Sequence, residues 1–190
     1  MLAHLLRFEL RQLLHNGVFW IVLAVYGLFG FGMIASDNVS FGGGVGNTMR
    51  NAPAVVVSLL GAFSVFSVLL ATIFVAGIAL RDFEQRTAEL FFATPMKKRD
   101  YLLGRFGGGL LATIAIMLAM ACGLLVGSHM PWLDASRLGA TPWAAYGWAF
   151  AVLVIPNLLF VSAFMFLLAT LTRSMLYTYI GVIAFFVLWS

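Results

Sequence analysis

The chain has 190 residues, of which 63% are hydrophobic and 9% charged, and its formal net charge is +4. Soluble domains carry about 25% charged residues, so 11 basic and 7 acidic side chains are too few for a water-facing surface on a chain this long. Soluble enzyme, nucleic-acid reader and disordered protein are excluded, and one membrane domain remains. The single cysteine, Cys122, lies in an apolar run, so there is no disulfide framework and no redox motif.

Residues 2–15 place Leu2, Leu5, Leu6, Leu10, Leu13 and Leu14 on one helical face, with His4, Arg7, Arg11 and His15 largely on the other. This pattern predicts an amphipathic helix in the membrane interface, spanning 1–17 and feeding the first crossing. An ordinary solvated helix is the alternative. A cleaved signal peptide fits poorly, because the polar start is long, contains Glu9 and lacks a small-x-small site before Asp37.

A transmembrane helix needs about 20 mostly apolar residues. Four stretches qualify without an Asp, Glu, Lys, Arg or His: 18–36, 53–80, 106–128 and 143–172. A fifth apolar run starts near Met175 and is still apolar at Ser190, which reads as an incomplete span, 175–190. The expected fold is all-α, a polytopic membrane helical bundle forming one domain over 1–190. It comprises the interfacial helix, four complete spans and a truncated fifth.

The second stretch, at 28 residues, would measure roughly 42 Å as a straight helix against a hydrocarbon core of about 30 Å. It is expected to tilt, to bend near Gly61 or to project on one side. Pro156 should kink the fourth span, and Asn157 beside it should face protein. Gly123-x-x-x-Gly127 and Ala119-x-x-x-Gly123 carry helix-packing spacing.

Basic residues set the orientation. Arg7, Arg11, Arg81, Arg86, Lys97, Lys98, Arg99, Arg105 and Arg173 fall on one side of an alternating topology, and only Arg50 and Arg137 on the other. Nine against two predicts a cytoplasmic N-terminus, with 37–52 and 129–142 outside.

The spans hold no ionisable side chain except Tyr and Cys122, and all three histidines lie outside them. Nothing resembles a Gly-x-Ser-x-Gly or His-Glu-x-x-His site, so no catalytic, cofactor or metal residue is expected. The glycine-rich run 41–48 lacks the Lys-Ser/Thr ending of a phosphate loop and reads as an outer loop. Its neighbours Arg50 and Asn51 either line an entrance or belong to a solvated loop. Trp132 and Trp143 read as interfacial anchors.

The informative segment is 81–96, Arg-Asp-Phe-Glu-Gln-Arg-Thr-Ala-Glu-Leu-Phe-Phe-Ala-Thr-Pro-Met. A short helix from about Thr87 to Ala93, ended by Pro95, would present Leu90, Phe91 and Phe92 at the membrane face. Bare aromatics there need a cover. Either the lipid interface or a groove on a partner protein supplies it.

With Asp82, Glu84, Thr87, Glu89, Leu90, Thr94, Pro95, Arg99, Tyr101 and Leu102 at matching places, the chain resembles the membrane subunits of type 2 ABC transporters, the exporter-like permeases. Arg86 stands where that pattern usually has glycine. The resemblance implies that 84–95 is a coupling helix docked on an ATP-binding subunit, through Glu84, Thr87, Glu89, Leu90, Phe91, Phe92, Thr94 and Pro95. It also implies a bacterial plasma-membrane protein working as a dimer of membrane halves, with the lipid bilayer as its other partner and no nucleic acid. Residues 40–53 and 89–101 look like large bacterial permeases, some of which continue into a zinc aminopeptidase-like domain. Two functions follow: a permease subunit driven by a separate ATPase, or a non-transporting membrane anchor for a downstream catalytic domain. The Phe-, Leu- and Ala-rich spans suggest a hydrophobic or amphiphilic substrate, or a conformational signal in place of a solute.

Overall fold

A computed structural model describes residues 2–35, 49–84, 97–133 and 135–189. Among them there is no strand, and the fold is an all-α polytopic helical bundle. In chain order the helices are α1 (Leu2–Leu14), α2 (Gly17–Ala35), α3 (Pro53–Val65), α4 (Ser67–Leu70), α5 (Gly77–Glu84), α6 (Lys98–Gly127), α7 (Trp143–Ala149), α8 (Ile155–Thr172) and α9 (Met175–Trp189). Two π-helical segments interrupt them, Ala71–Ala76 and Phe150–Val154.

Helices α2, α6 and the run Trp143–Thr172 are each long and apolar enough to cross a membrane, and the broken pair Pro53–Val65 and Ser67–Asp82 makes a fourth candidate. The overlong second stretch therefore relieves its excess length by breaking, and the break falls at Phe66, not near Gly61. In the fourth span the expected disturbance at Pro156 takes the form of the π segment ending at Val154. Proline has no N–H to donate and its ring would crowd the carbonyl four residues back. A widened π turn absorbs both.

The helices form two compact units. The first contains residues 1–16, 66–113 and 158–190. Its core joins Val68, Ala71 and Val75 to Val161 and Met165 of α8 and Val182 of α9. Phe106 and Phe166 meet edge to face at 5.5 Å between ring centroids. Thr72 donates its hydroxyl to the Val68 carbonyl at 2.7 Å, one turn back at the entry to the π segment. α8 ends where Arg173 adopts a left-handed φ of 50°, its N–H returning to the Ala169 carbonyl at 2.9 Å. That is a helix-terminating cap usually given to glycine.

The second unit contains residues 17–65 and 114–157. Here the small-residue spacing read from the sequence is used. A Cβ on Gly123 would strike the Gly27 carbonyl, and one on Gly30 the Met120 carbonyl. The backbones of α2 and α6 thus touch directly, the close approach that small residues permit in membranes. Asn157 faces protein as expected. Its Nδ2 donates to the Ser64 carbonyl at 2.8 Å and to the Ser64 hydroxyl at 3.0 Å, close to the end of α3.

Asn51 and Arg50 do not form a solvated loop. Asn51 is buried, and its side-chain amide pairs reciprocally with the Gly139 backbone, donating at 2.6 Å and accepting at 2.8 Å. Arg50 donates from Nη1 to the Ile34 carbonyl at 3.1 Å, and its N–H to the Arg137 carbonyl at 2.9 Å. The two segments that the sequence places outside are stitched together by these bonds. Trp132 and Trp143 are both exposed.

Candidate functional site

The first unit contains a buried ionic network that draws on three parts of the chain. Glu9 comes from α1, Arg81 and Asp82 from the end of α5, and Tyr101 and Arg105 from the start of α6. Glu9 is 1% exposed, Asp82 2% and Arg105 3%, so none of these charges is left to water. Arg81 Nη2 donates to both Glu9 carboxylate oxygens, at 2.7 and 2.8 Å. Arg105 straddles the two acids, donating Nη1 to Glu9 and Nη2 to the Asp82 carboxylate. The Tyr101 hydroxyl donates to Asp82 Oδ2 at 2.5 Å, and the Arg105 guanidinium lies over the Tyr101 ring. Tyr101 and Arg105 are four apart on α6, which puts both on the face that meets Asp82.

α1 reaches this network because α6 opens with glycines. A Cβ on Gly108 would lie 2.6 Å from the Glu9 Cβ, and one on Gly107 2.8 Å from Leu6 Cδ2. Any larger residue at Gly108 would hold Glu9 away from the guanidinium it binds. Burial pushes the Glu9 carboxyl above its ordinary value, the Arg81 charge and hydrogen bond pull it down, and the Asp82 charge adds to the rise. Two carboxylates against two guanidiniums balance, which is the condition for burying such groups at all.

Sequence reasoning missed the centre of this site. Glu9 entered only as an argument against a signal peptide. At 100° per residue, however, it falls between Leu5 and Leu2, inside the leucine face. A carboxylate there needs a buried cation, and that was the available signal. The leucine stripe does not all face inward: Leu13 is buried, whereas Leu10 and Leu14 are exposed together with Phe8.

Of the residues expected to meet a partner, Glu84 closes α5. Thr87, Glu89, Leu90, Phe91, Phe92, Thr94 and Pro95, with the short helix expected there, lie outside the described residues, as does the glycine-rich run 41–48. What the structure adds is the contact between the residues on either side of 85–96. Asp82 lies on the N-terminal flank, Arg105 and Tyr101 lie on the C-terminal flank, and they are bound to each other and to α1. Chemically the arrangement is an interlock. Among the described residues no group of three or more His, Cys, Asp or Glu comes together to hold a metal ion.

A family model for the ABC-2 family transporter protein matches residues 3–190. The chain belongs to that family. It is a multi-pass membrane protein and a permease component of an ABC transporter. Searches of the curated proteins and of the solved structures gave no match. In this ABC-2 permease the buried network joins Asp82, before residues 85–96, to Tyr101 and Arg105 after them.

Proposed function

We propose that this ABC-2 permease sits in a bacterial plasma membrane with its N-terminus and residues 81–105 in the cytoplasm, and that a separate ATP-binding subunit docks on 84–95 through Glu84, Thr87, Glu89, Leu90, Phe91, Phe92, Thr94 and Pro95. The observation that carries this reading is the ionic network. A force applied to the loop by a partner would reach α1, α5 and α6 together, because Glu9, Asp82 and Arg105 tie their ends. Such a load path needs defined flanks, and charge-assisted arginine–carboxylate hydrogen bonds fix geometry as well as adding energy.

Permeation itself falls to the four candidate spans, acting with a second membrane half. The two π segments and the break at Phe66 are the places where those spans depart from regular helix. π turns inside α-helices recur at functional sites. The permease reading is preferred over a bare membrane anchor because the family match runs over essentially the whole chain.

The test has two arms. With the exposed Cys122 replaced by serine, Ser136→Cys should react with an impermeant thiol reagent in intact cells, and Lys98→Cys should react only after lysis. A photo-crosslinking residue at Leu90 should capture an ATP-binding protein. Labelling of Lys98→Cys in intact cells would overturn the orientation, and crosslinks to lipid alone would overturn the docking.

A further inference from the structure

Beside the ionic network, between the second half of α1 and residues 73–81, lies a cavity of about 440 Å³. That is within the range of about 300–1,000 Å³ typical of small-ligand sites. Its lining is divided by chemistry. Leu13, Phe74 and Ile78 supply its apolar part, and Glu9, Gln12, His15, Asn16 and Arg81 its polar part.

Two of these polar groups have capacity to spare. Gln12 Oε1 is buried and has no hydrogen-bond partner among the described residues, a costly condition for an amide oxygen. Arg81 has five N–H donors, and among the described residues its bonds to Glu9 use Nη2 alone. An occupant that satisfies both must offer an acceptor to the spare N–H groups of Arg81 and an N–H or O–H donor to Gln12. It must also carry an apolar part for Leu13, Phe74 and Ile78. Ile73, on the lining, is 47% exposed on the outside of a candidate span. The apolar side of the cavity therefore adjoins a surface meant for acyl chains.

We infer that this cavity holds the headgroup of a phospholipid whose phosphodiester carries a hydrogen-bond donor, as phosphoethanolamine and phosphoglycerol do. The phosphate pairs with Arg81, and the ammonium or hydroxyl donates to Gln12 Oε1. The glycerol backbone and first methylenes lie against Leu13, Phe74 and Ile78. Phosphocholine offers the same charge pair without a donor, so it leaves Gln12 unsatisfied. Bound there, the lipid wedges between α1 and the residues leading to Arg81, and so bears on the network that frames the loop. This site does not depend on which protein docks at 84–95.

The experiment is native mass spectrometry of the purified full chain, re-lipidated with equimolar phosphatidylethanolamine, phosphatidylglycerol and phosphatidylcholine of identical acyl chains. The donor-bearing lipids should be retained about tenfold over phosphatidylcholine, the ratio that about 1.4 kcal/mol, one good hydrogen bond, corresponds to. Gln12→Leu should bring that ratio close to one, and Ile73→Trp should lower retention of every lipid. Equal retention of phosphatidylcholine by the unmodified chain, which needs no variant to measure, would overturn the proposal. So would an unchanged ratio in Gln12→Leu. Displacement of the lipid by acyl-free glycerophosphoethanolamine at equal concentration would show a site for soluble phosphodiesters and would also overturn it.

Discussion

Arg105→Met is the most revealing single change, because one guanidinium serves both acids of the buried network. Glu9, Asp82 and Arg105 are each no more than 3% exposed, so water cannot enter to screen what is left. With Arg105 gone, Glu9 keeps Arg81 while Asp82 loses the guanidinium that lay on its carboxylate. Removing one partner of a buried pair costs about 3–5 kcal/mol, since the surviving charge stays desolvated. Arg105→Met with Asp82→Asn restores the balance, leaving Glu9 against Arg81. The double variant should therefore recover part of the loss, with a coupling of about 1–3 kcal/mol between the two sites. The measurement is SDS-driven unfolding of the purified chain in mixed micelles, followed by tryptophan fluorescence. An Arg105→Met midpoint within about 0.5 kcal/mol of wild type would refute the reasoning. So would a double variant whose loss equals the sum of the two single losses.

Three further outcomes follow from the same packing. Gly30→Val, which drives a side chain into the Met120 carbonyl, should cost at least about 1–3 kcal/mol by overpacking, whereas Gly147→Ala, with open space around it, should change the midpoint little. Asn157→Leu removes two hydrogen bonds to Ser64 and should cost about 0.6–1.7 kcal/mol, the range found for polar contacts between membrane helices; an unchanged midpoint would contradict it. The Glu9 carboxyl, raised by burial above its ordinary 4.5, is penalised in the folded state when ionised. The stability of wild type relative to Glu9→Gln should therefore improve as pH falls from above the raised value to below 4.5, and a gap that moves the other way would show that the arginines outweigh the burial.

The spans were legible because lipid demands long apolar runs and nothing else in a sequence looks like them. α2 (Gly17–Ala35) and the run Trp143–Thr172 lie within a residue of the boundaries read from composition. α6 begins eight residues before its apolar stretch, because Arg105 and Tyr101 are helical but held by the network instead of by lipid. The glycine spacing at Gly123 and Gly127 was read correctly, although periodicity could not say that α2 was the partner. Long-range polar pairs were hidden for the same reason. Asn51 with Gly139, and Glu9 with Arg105, are separated by 88 and 96 positions, and no local pattern marks them. Glu9 did carry a local sign, its place within an apolar helical face.

On the proposed docking, an ATP-binding subunit drives this permease through residues 84–95. Co-purification of the ATP-binding subunit with wild type and with Phe91→Ala/Phe92→Ala tests it most directly. If the aromatics fill a groove on that subunit, truncation should cost about 2 kcal/mol or more, weakening the complex about thirty-fold, while membrane insertion is unchanged because neither residue belongs to a span. Recovery of the ATP-binding subunit at wild-type levels with the double variant would contradict the account.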